Sequence, residues 1–587
     1  MKDDITEQLE DYFFVNLWKK PFWIGIQNFQ GVREYTKIPL APITLLYGQN
    51  SAGKSTVHDA LLFIHSFLGG KWDSKTTQEH LDRWANQLRI STPLTKNYLG
   101  NPDDVVISIN SFTTDSDYFT WEELHYKNQN NIRGEPAREL FNDYFIPFQI
   151  DIFFSTCLQQ HNNSKWVMRK VSLYLGDELF VDLVFEEDDF IKPKRYQKIY
   201  YEVKQNVKLN KKHIVYPFID SFFENGIESI IRNSSIEASI DDSWINLEIL
   251  GLVDILEWKA PVDWREYDDH VREHTYDEIR FKNLLASLFM TTSLAASDNL
   301  NFNSVPPIRL IPSKNSLIFR KSGYKVIGET AELYCWSYLA SNVCSKFILQ
   351  NYPVNAKDIE STSAEIPYHT SHSVLDEVNR ILSHPHFLNT DYEITGECLF
   401  LTPIDVFNEN TDRTNDEMYE LLHKLDAEIH LQLRQKSNGQ LIEIEDVGVG
   451  ISQIIPVLSA IVSGSRKVYI QQPELHLHPK LQAQLADAFV EQVYKNIKTL
   501  GYPCFVIESH SEHFLLRLLR RIRETHKGDI KNKLFSLSPE HVSVLYFDKL
   551  EDGSSKIFPL RISPEGEFID RWPHGFFTER DGELFDE

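Results

Sequence analysis

The chain has 587 residues, of which 42% are apolar and 25% charged. This is ordinary globular usage, which excludes general disorder and suffices for roughly three to four domains. Its formal net charge of −25 excludes a protein that coats DNA through a densely cationic surface, because counterion release needs many Lys and Arg. Cys157, Cys335, Cys344, Cys398 and Cys504 are scattered with no CxxC pair, which argues against a disulfide framework or zinc knuckle and fits reduced thiols.

No run approaches the ~18 to 20 uninterrupted apolar residues of a membrane span. The acidic start MKDDITEQLEDYFF lacks the basic-then-apolar order of a signal peptide. The expectation is a cytoplasmic protein without a membrane partner, not itself a channel.

In chain order, 1–20 reads as an amphipathic lead-in. FWIGIQNF alternates, and ITLLYG is a short apolar run ending in Gly48, as in a buried parallel strand. A helix is predicted from about Lys54 to Leu68, with Val57, Ala60, Leu61, Ile64 and Leu68 on one face and Gly69-Gly70 as its stop. From about 105 to 215 the period changes to two: VVISINSF, WVMRKVSLYL, LFVDLVFE and YQKIYYEV predict antiparallel strands. Residues 216–300 read mostly as helices, and 325–341 as a glycine turn entering a helix. Residues 415–435 fit helix or strand. Beyond 440, LIEIED, KVYIQQ and CFVIES read as strands, and ISQIIPVLSAIV, PKLQAQLADAFVEQVYKNI and SEHFLLRLLRRIRET as helices. Ser509 and Glu512 have capping-box spacing before the last of these. Strand–helix alternation at both ends predicts an α/β sheet assembled from distant segments. No sustained heptad run lies between those ends, which excludes long coiled-coil arms.

Gly48-Gln49-Asn50-Ser51-Ala52-Gly53-Lys54-Ser55 matches GxxxxGK[ST] and is followed by Thr56. An apolar strand before it and a helix after it are the required context. The glycines let successive N–H groups turn inward toward phosphate oxygens, and the helix adds its positive end. Lys54 is expected on the β- and γ-phosphates of ATP, and Ser55 on Mg²⁺. Asp446-Val447-Gly448-Val449-Gly450-Ile451-Ser452-Gln453 opens a second helix with two glycines. A helix start of this kind is a second anion-binding device, and one nucleotide needs only one phosphate loop. It therefore points to a nucleotide held by a neighbouring copy. A glycine bend before a core helix is the plainer alternative.

The string DVGVGISQIIPVL, VYIQQPELHLHPKLQAQLADAFVEQ, CFVIESHSEHFLLRL, together with IQNFQGVREYTKIPLAPITLLYGQNSAGKSTVHDAL and VIGETAEL, resembles the ABC-type AAA ATPases of the RecF/OLD-like class. The tail RWPHGFF resembles the C-terminal module of a subgroup of predicted ATPases found in bacterial defence loci. The resemblance covers roughly 20–70 and 300–587. It implies an α/β, two-lobed ABC-type head with a parallel core sheet, an antiparallel β portion and a helical insert. The expected division is lobe one over 1–215, the insert over 216–300, lobe two over 301–545 and a small module over 546–587. It also implies that Gly448, Gly450, Ser452 and Gln453 act as a signature loop in trans. His476-Leu477-His478-Pro479 would lie in the dimer-crossing D-loop region, and His510 would be the switch histidine. His476, His478, His510 and His513 do not have the spacing of a zinc site.

Two adjacent positions depart from the pattern. Such heads end the Walker B strand in an acid for Mg²⁺ and usually a second acid as general base, whereas this chain has Gln471 and Gln472. An amide oxygen can coordinate a hard cation but carries no charge and takes no proton near neutral pH. Hydrolysis is therefore slow, or Glu474 substitutes. As the plainer alternative, Glu474 is a helix-start carboxylate on the macrodipole.

No DxD follows His510, so no Toprim-type nuclease is expected in the chain, and an effector nuclease or other toxin would be a separate partner. The implied activity is that of an ATPase with ATP and Mg²⁺ as cofactors, a homodimer or higher oligomer with ATP sandwiched between its heads. It would switch an effector, with anti-phage defence as the setting. A DNA-end clamp, a non-hydrolysing scaffold and a transporter ATPase are the rivals. Arg517, Arg520, Arg521 and Arg523 offer either a solvated helix face or a DNA-phosphate surface.

Overall fold

A computed structural model describes residues 22–69, 104–112, 147–158, 164–185, 204–250 except 222, 224 and 235, single positions between 281 and 300, then 302–312, 318–320, 331–351, 374–401, 413–462, 467–496 and 504–573. The fold is mixed α/β, in two compact units whose sequences interleave. The first takes Met1–Leu40, Gly48–Asn301 and Phe547–Pro559, and the second Ala41–Tyr47, Phe302–Tyr546 and Leu560–Glu587.

The first unit opens with an antiparallel pair, β1 (Phe22–Gln27) and β2 (Thr36–Leu40). Next comes β3 (Ile43–Gly48), which belongs to the second unit up to Tyr47 and delivers the chain back at Gly48. The helix α1 (Thr56–Leu68) follows, two residues later than the pattern predicts, and buries the expected Val57, Ala60, Leu61, Ile64 and Leu68. Strands β4 (Val105–Phe112), β5 (Pro147–Leu158), β6 (Ser164–Leu175), β7 (Glu178–Phe185), β8 (Lys204–Asn210), β9 (Glu237–Ile240) and β10 (Trp244–Leu250) complete a nine-stranded sheet in the order β2-β1-β4-β5-β6-β7-β8-β10-β9. Its register lines up Ile26, Ile107, Ile152, Val171, Leu183, Val207 and Leu247 across seven neighbouring strands. All seven are buried, each contributing about 1.5–3 kcal/mol by leaving water. Phe63 and Phe67 of α1 pack edge-on against Phe154 of β5.

The period-two reading of VVISINSF, WVMRKVSLYL and LFVDLVFE corresponds to β4, β6 and β7. YQKIYYEV lies outside the described residues. The helical reading of 216–300 needs correction over 237–250. Glu237–Ile240 and Trp244–Leu250 form an antiparallel hairpin, because Ile245, Leu247 and Ile249 alternate and Asp241 turns the chain by accepting from the Ser243 and Trp244 N–H groups.

The second unit holds β11 (Asn303–Val305), β12 (Ile318–Arg320), β13 (Tyr392–Phe400), β14 (Ala427–Gln435), β15 (Leu441–Glu443), β16 (Lys467–Gln471), β17 (Cys504–Glu508) and most of β18 (Val542–Lys549), with β19 (Ser555–Leu560) after it. A six-stranded sheet runs β11-β16-β17-β3-β18-β19, and its pairs β11/β16, β16/β17 and β17/β3 are parallel. A smaller antiparallel sheet joins β12, β14 and β13, with β15 on β14. The helices are α2 (Ala331–Asn351), α3 (Val374–Ser383), α4 (Asn415–Lys424), α5 (Val449–Val462), α6 (Pro479–Asn496) and α7 (Glu512–Lys527). The ambiguous stretch 415–435 is both elements in turn: a Thr414–Glu417 capping box starts α4, and the alternation AEIHLQL then makes β14. The cap of α7 is Ser511, not Ser509; the Ser511 side chain accepts from Phe514 N, while Ser509 Oγ accepts from Ser511 N.

The arginines of α7 are spent within the unit. Arg517 and Arg521 both donate to Asp487, which is fully buried on α6. Arg520 pairs with Glu524, and Arg523 donates to the Glu565 and Gly566 carbonyls. Arg517 and Arg521 thus have a packing role, while Arg520 and Arg523 stay exposed, as the solvated-face reading has it. Among the described residues no helix is long and apolar enough to cross a membrane. Asp487→Ala strands two arginines around a buried gap and is expected to cost about 3–5 kcal/mol, read as a lower denaturant midpoint.

Candidate functional site

In the first unit the phosphate loop is held by close backbone contacts. Gly48 has φ +139° and Gly53 φ +95°, with Ser51 also left-handed at +62°. A Cβ on Gly48 would stand 2.2 Å from the Phe547 carbonyl oxygen, and one on Gly53 would stand 2.7 Å from Ser555 Oγ. Both positions therefore require glycine for backbone angle and for space. Lys54 is buried, and its Nζ donates to the Gly48 and Gln49 carbonyls at 3.0 and 2.9 Å, so the ammonium sits inside the curl. Ala52 is buried, while Gln49, Asn50, Ser51 and Ser55 are exposed.

Ser55 stands at the cap of α1, and its side chain makes no capping bond, which leaves the hydroxyl open. Thr56 differs: it is buried, and its hydroxyl donates to Gln30 Oε1 at 2.7 Å. Gln30 also donates to Asp59. Gln30 sits at φ +50° in the turn between β1 and β2. Its role is not legible in the sequence, because only the tertiary fold brings that turn to α1.

The second unit gathers the other predicted residues. The turn into α5 exposes Gly448 and Val449, and nothing lies within 4 Å of a Cβ on Gly448. Gly450 is confined, since its Cβ would meet the His476 carbonyl oxygen at 2.8 Å. Ser452 and Gln453 are buried and occupied internally. The Ser452 hydroxyl donates to the Val449 carbonyl at 3.1 Å. Gln453 Oε1 accepts from Arg309 N at 3.1 Å, and Gln453 Nε2 donates to the Arg309 carbonyl at 2.8 Å. What the turn offers outward is backbone.

Arg309 is the residue that sequence reasoning passes over. It is 3% exposed. Its Nη2 reaches the Gln471 and Gln472 carbonyls at 2.8 and 3.1 Å, and its Nη1 the Gln453 carbonyl at 3.4 Å. One guanidinium thus ties the start of α5 to the exit of β16. Burial lowers its pKa to about 10, against the opposing charge of Glu474.

Beyond Gln471 the chain is strained. Gln472 and His476 are left-handed at φ +44° and +64°, conformations that cost roughly 1–3 kcal/mol in non-glycine residues and cluster at functional sites. Between them lies Glu474, 8% exposed. Its Oε1 accepts from His510 N at 2.7 Å, and its Oε2 is buried with no partner. Burial pushes the carboxyl above the usual range, while the His510 N–H pulls the other way. His510, His476 and His478 are exposed. Tyr47, the last residue before Gly48, donates to the Ser511 carbonyl at 3.0 Å and stacks edge-on with Trp572 of the RWPHGFF tail.

In the first unit the open Ser55 hydroxyl is an oxygen donor of the kind that suits Mg²⁺. Among the described residues no group of three or more His, Cys, Asp or Glu side chains could hold a metal by itself. A nucleotide-bound Mg²⁺ needs only one or two side-chain oxygens beside phosphates and waters.

Arg309→Met would strip donors from the Gln453, Gln471 and Gln472 carbonyls, and the expected loss is about 1–3 kcal/mol, read by thermal or denaturant unfolding. Arg309→Lys should recover only part, since a single ammonium does not reproduce the fork.

Residues 23–515 match the family model described as an AAA ATPase domain. Residues 537–586 match that of a protein of unknown function, DUF3696. No curated protein matches the chain. Solved structures similar to it include an SMC head bound to the C-winged helix domain of ScpA, at 9% identity over 92% of this chain and 98% of that one, with a TM-score of 0.33. An SMC head domain from Thermotoga maritima aligns at 7% identity over 92% and 100%, with a TM-score of 0.31. An SMC head with an extended coiled coil, bound to the C-terminal domain of ScpA and derived from Pyrococcus furiosus, aligns at 10% identity over 92% and 96%, with a TM-score of 0.32. Scores at that level do not define a shared fold. The domain model, however, runs from β1 through the phosphate loop to the start of α7, and the chain belongs to the AAA ATPase domain family.

Proposed function

We propose that this ATPase binds ATP with Mg²⁺, closes two copies around it and hydrolyses it slowly, as a switch that holds and releases a separately encoded effector in bacterial anti-phage defence. The phosphate loop of one copy and the Gly448–Gly450 backbone turn of the other are the two anion-binding devices. The observation that carries hydrolysis is Glu474, a buried carboxyl with an unpartnered oxygen, set between two strained residues and anchored to His510 N. Its raised pKa suits it to take a proton from the attacking water. Lys54 neutralises phosphate charge. Mg²⁺ supplies electrostatic stabilisation of the transferring phosphoryl group.

A clamp that binds ATP without turning it over is the second reading, favoured by the neutral pair Gln471-Gln472. Lys54→Ala should abolish nucleotide binding and hydrolysis together. Turnover of roughly ten per second or more, the ordinary enzyme median, would exclude the slow switch.

Glu474→Gln should lower kcat about 10²- to 10⁴-fold with little change in nucleotide affinity; unchanged hydrolysis would remove Glu474 as the base. Because the base must be ionised and burial raises its pKa, kcat should climb with pH through a midpoint above the ordinary Glu value of about 4.3. A pH–rate profile checks this, and the limb should vanish in Glu474→Gln.

A further inference from the structure

The turn that carries Gly448 and Gly450 is held from both sides within the second unit. On its helix side Gln453 and Arg309 bond reciprocally. Gly450 fits so closely there that a Cβ would stand 2.8 Å from the His476 carbonyl oxygen. On its strand side the chain arrives from β15 (Leu441–Glu443), which has one exposed and two half-buried positions. A strand so short is at the lower limit of strand length and holds its place weakly through the ladder alone. The strand it pairs with is a firm one. β14 pairs with β13 along its whole length, Ala427–Gln435, and Ala427, Ile429, Leu431 and Leu433 are buried on its inner face.

The outer face of β14 adds side-chain bonds to that pairing. Glu443, the last residue of β15, stands opposite Gln432 in the antiparallel register. Gln432 Nε2 donates to Glu443 Oε1 at 2.7 Å, and His430 Nε2 lies 3.0 Å from Glu443 Oε2. An ionised carboxylate can only accept, so the imidazole carries its N–H at that nitrogen. His430 and Gln432 are two residues apart on a strand and so share a face, and each takes one oxygen of the carboxylate. The Glu443 carbonyl in turn accepts from Asp446 N at 3.0 Å. That bond closes a tight turn with Ile444 buried in it, and Gly448 follows two residues later. Glu443 is thus fixed twice: its side chain to β14, and its main chain to the turn that leads into the glycines.

We propose that Glu443 is a positioning residue for the Gly448–Gly450 turn, and that His430 and Gln432 are the latch through which β14 aims that turn at the nucleotide of a neighbouring copy. The assignment rests on the two-copy reading above and deepens it by naming what sets the turn's aim. A site that offers backbone N–H groups has no side chain to adjust its reach. Its hydrogen bonds weaken steeply with misalignment, and the close fit of Gly450 on the His476 carbonyl leaves it no slack on that side. The aim is therefore set by the chain on either side of the turn, and the strand side depends on Glu443. The latch acts on the turn alone, so it governs the pairing of two loaded copies and not the loading of each one.

The test separates loading from pairing. A fluorescent non-hydrolysable ATP analogue with Mg²⁺ is bound to the full chain. Its affinity is measured at protein concentrations too low for pairing, and the protein concentration at which loaded copies pair is measured by sedimentation velocity. Glu443→Ala should raise the pairing midpoint at least about tenfold, with analogue affinity unchanged. The double variant His430→Ala/Gln432→Ala removes the same two bonds from the other strand. It should give the same shift, and it covers the case in which Glu443→Ala fails to fold. Glu443→Gln, which keeps an acceptor for one of the donors, should recover part of the loss. A wild-type pairing midpoint in Glu443→Ala and in the double variant overturns the proposal, even if both melt earlier. So does a pairing loss matched by an equal loss of analogue affinity, which marks general damage. A shift in Glu443→Ala that the double variant does not share also counts against the latch. Each of these results leaves the two-copy reading standing. A wild type that binds the analogue and never pairs overturns the two-copy reading and this proposal with it.

Discussion

Between Gly48 and Gly53 the main chain turns so tightly that two side-chain positions are taken by other atoms. The Phe547 carbonyl occupies the place of one Cβ, and Ser555 Oγ crowds the other. Every local function of the loop depends on that constraint. Only an unsubstituted backbone can turn its N–H groups inward, and only then does Lys54 lie inside the curl on the Gly48 and Gln49 carbonyls. The segment 547–559, far away in sequence, is what braces it, which explains why that stretch belongs to the first unit.

The second unit buries a carboxyl whose pKa is raised by that burial. Glu474 is fixed by one backbone N–H and denied a partner on its other oxygen. The left-handed residues on either side of it are stabilised elsewhere: Gln472 lies where its carbonyl meets Arg309 and its N–H meets the Glu508 carbonyl, and the His476 carbonyl packs on Gly450. Arg309 and Gln453 hold each other reciprocally. A displacement of the Gly448–Gly450 turn is therefore mechanically continuous with the segment that carries Glu474. Arg309 is the buried cation that the two segments share.

The acidic composition and the paired arginines of α7 bear on partners. With Arg517 and Arg521 committed to Asp487, and Arg520 and Arg523 to neighbours in the unit, that helix offers little free positive charge to a phosphate backbone.

What the chain alone determined is whatever depends on neighbours in sequence. GxxxxGK[ST] between an apolar strand and an amphipathic helix announces the loop, because its geometry is set by a few consecutive dihedrals. Period two in 105–185 announces antiparallel strands, because alternation follows from the pleat. The absence of acid at Gln471 and Gln472 is legible by inspection. The hairpin over 237–250 is hard to see in the sequence because β9 is short and mostly exposed, which blurs the alternation there. Tertiary structure alone decided the rest. Glu508 acquires its neighbour Gln471 only through the β16–β17 register, across 37 residues, and Arg309 finds Gln453 across 144. No local pattern encodes such pairs, because their energy comes from burying polar groups against distant partners, and those partners exist only once the sheet has assembled.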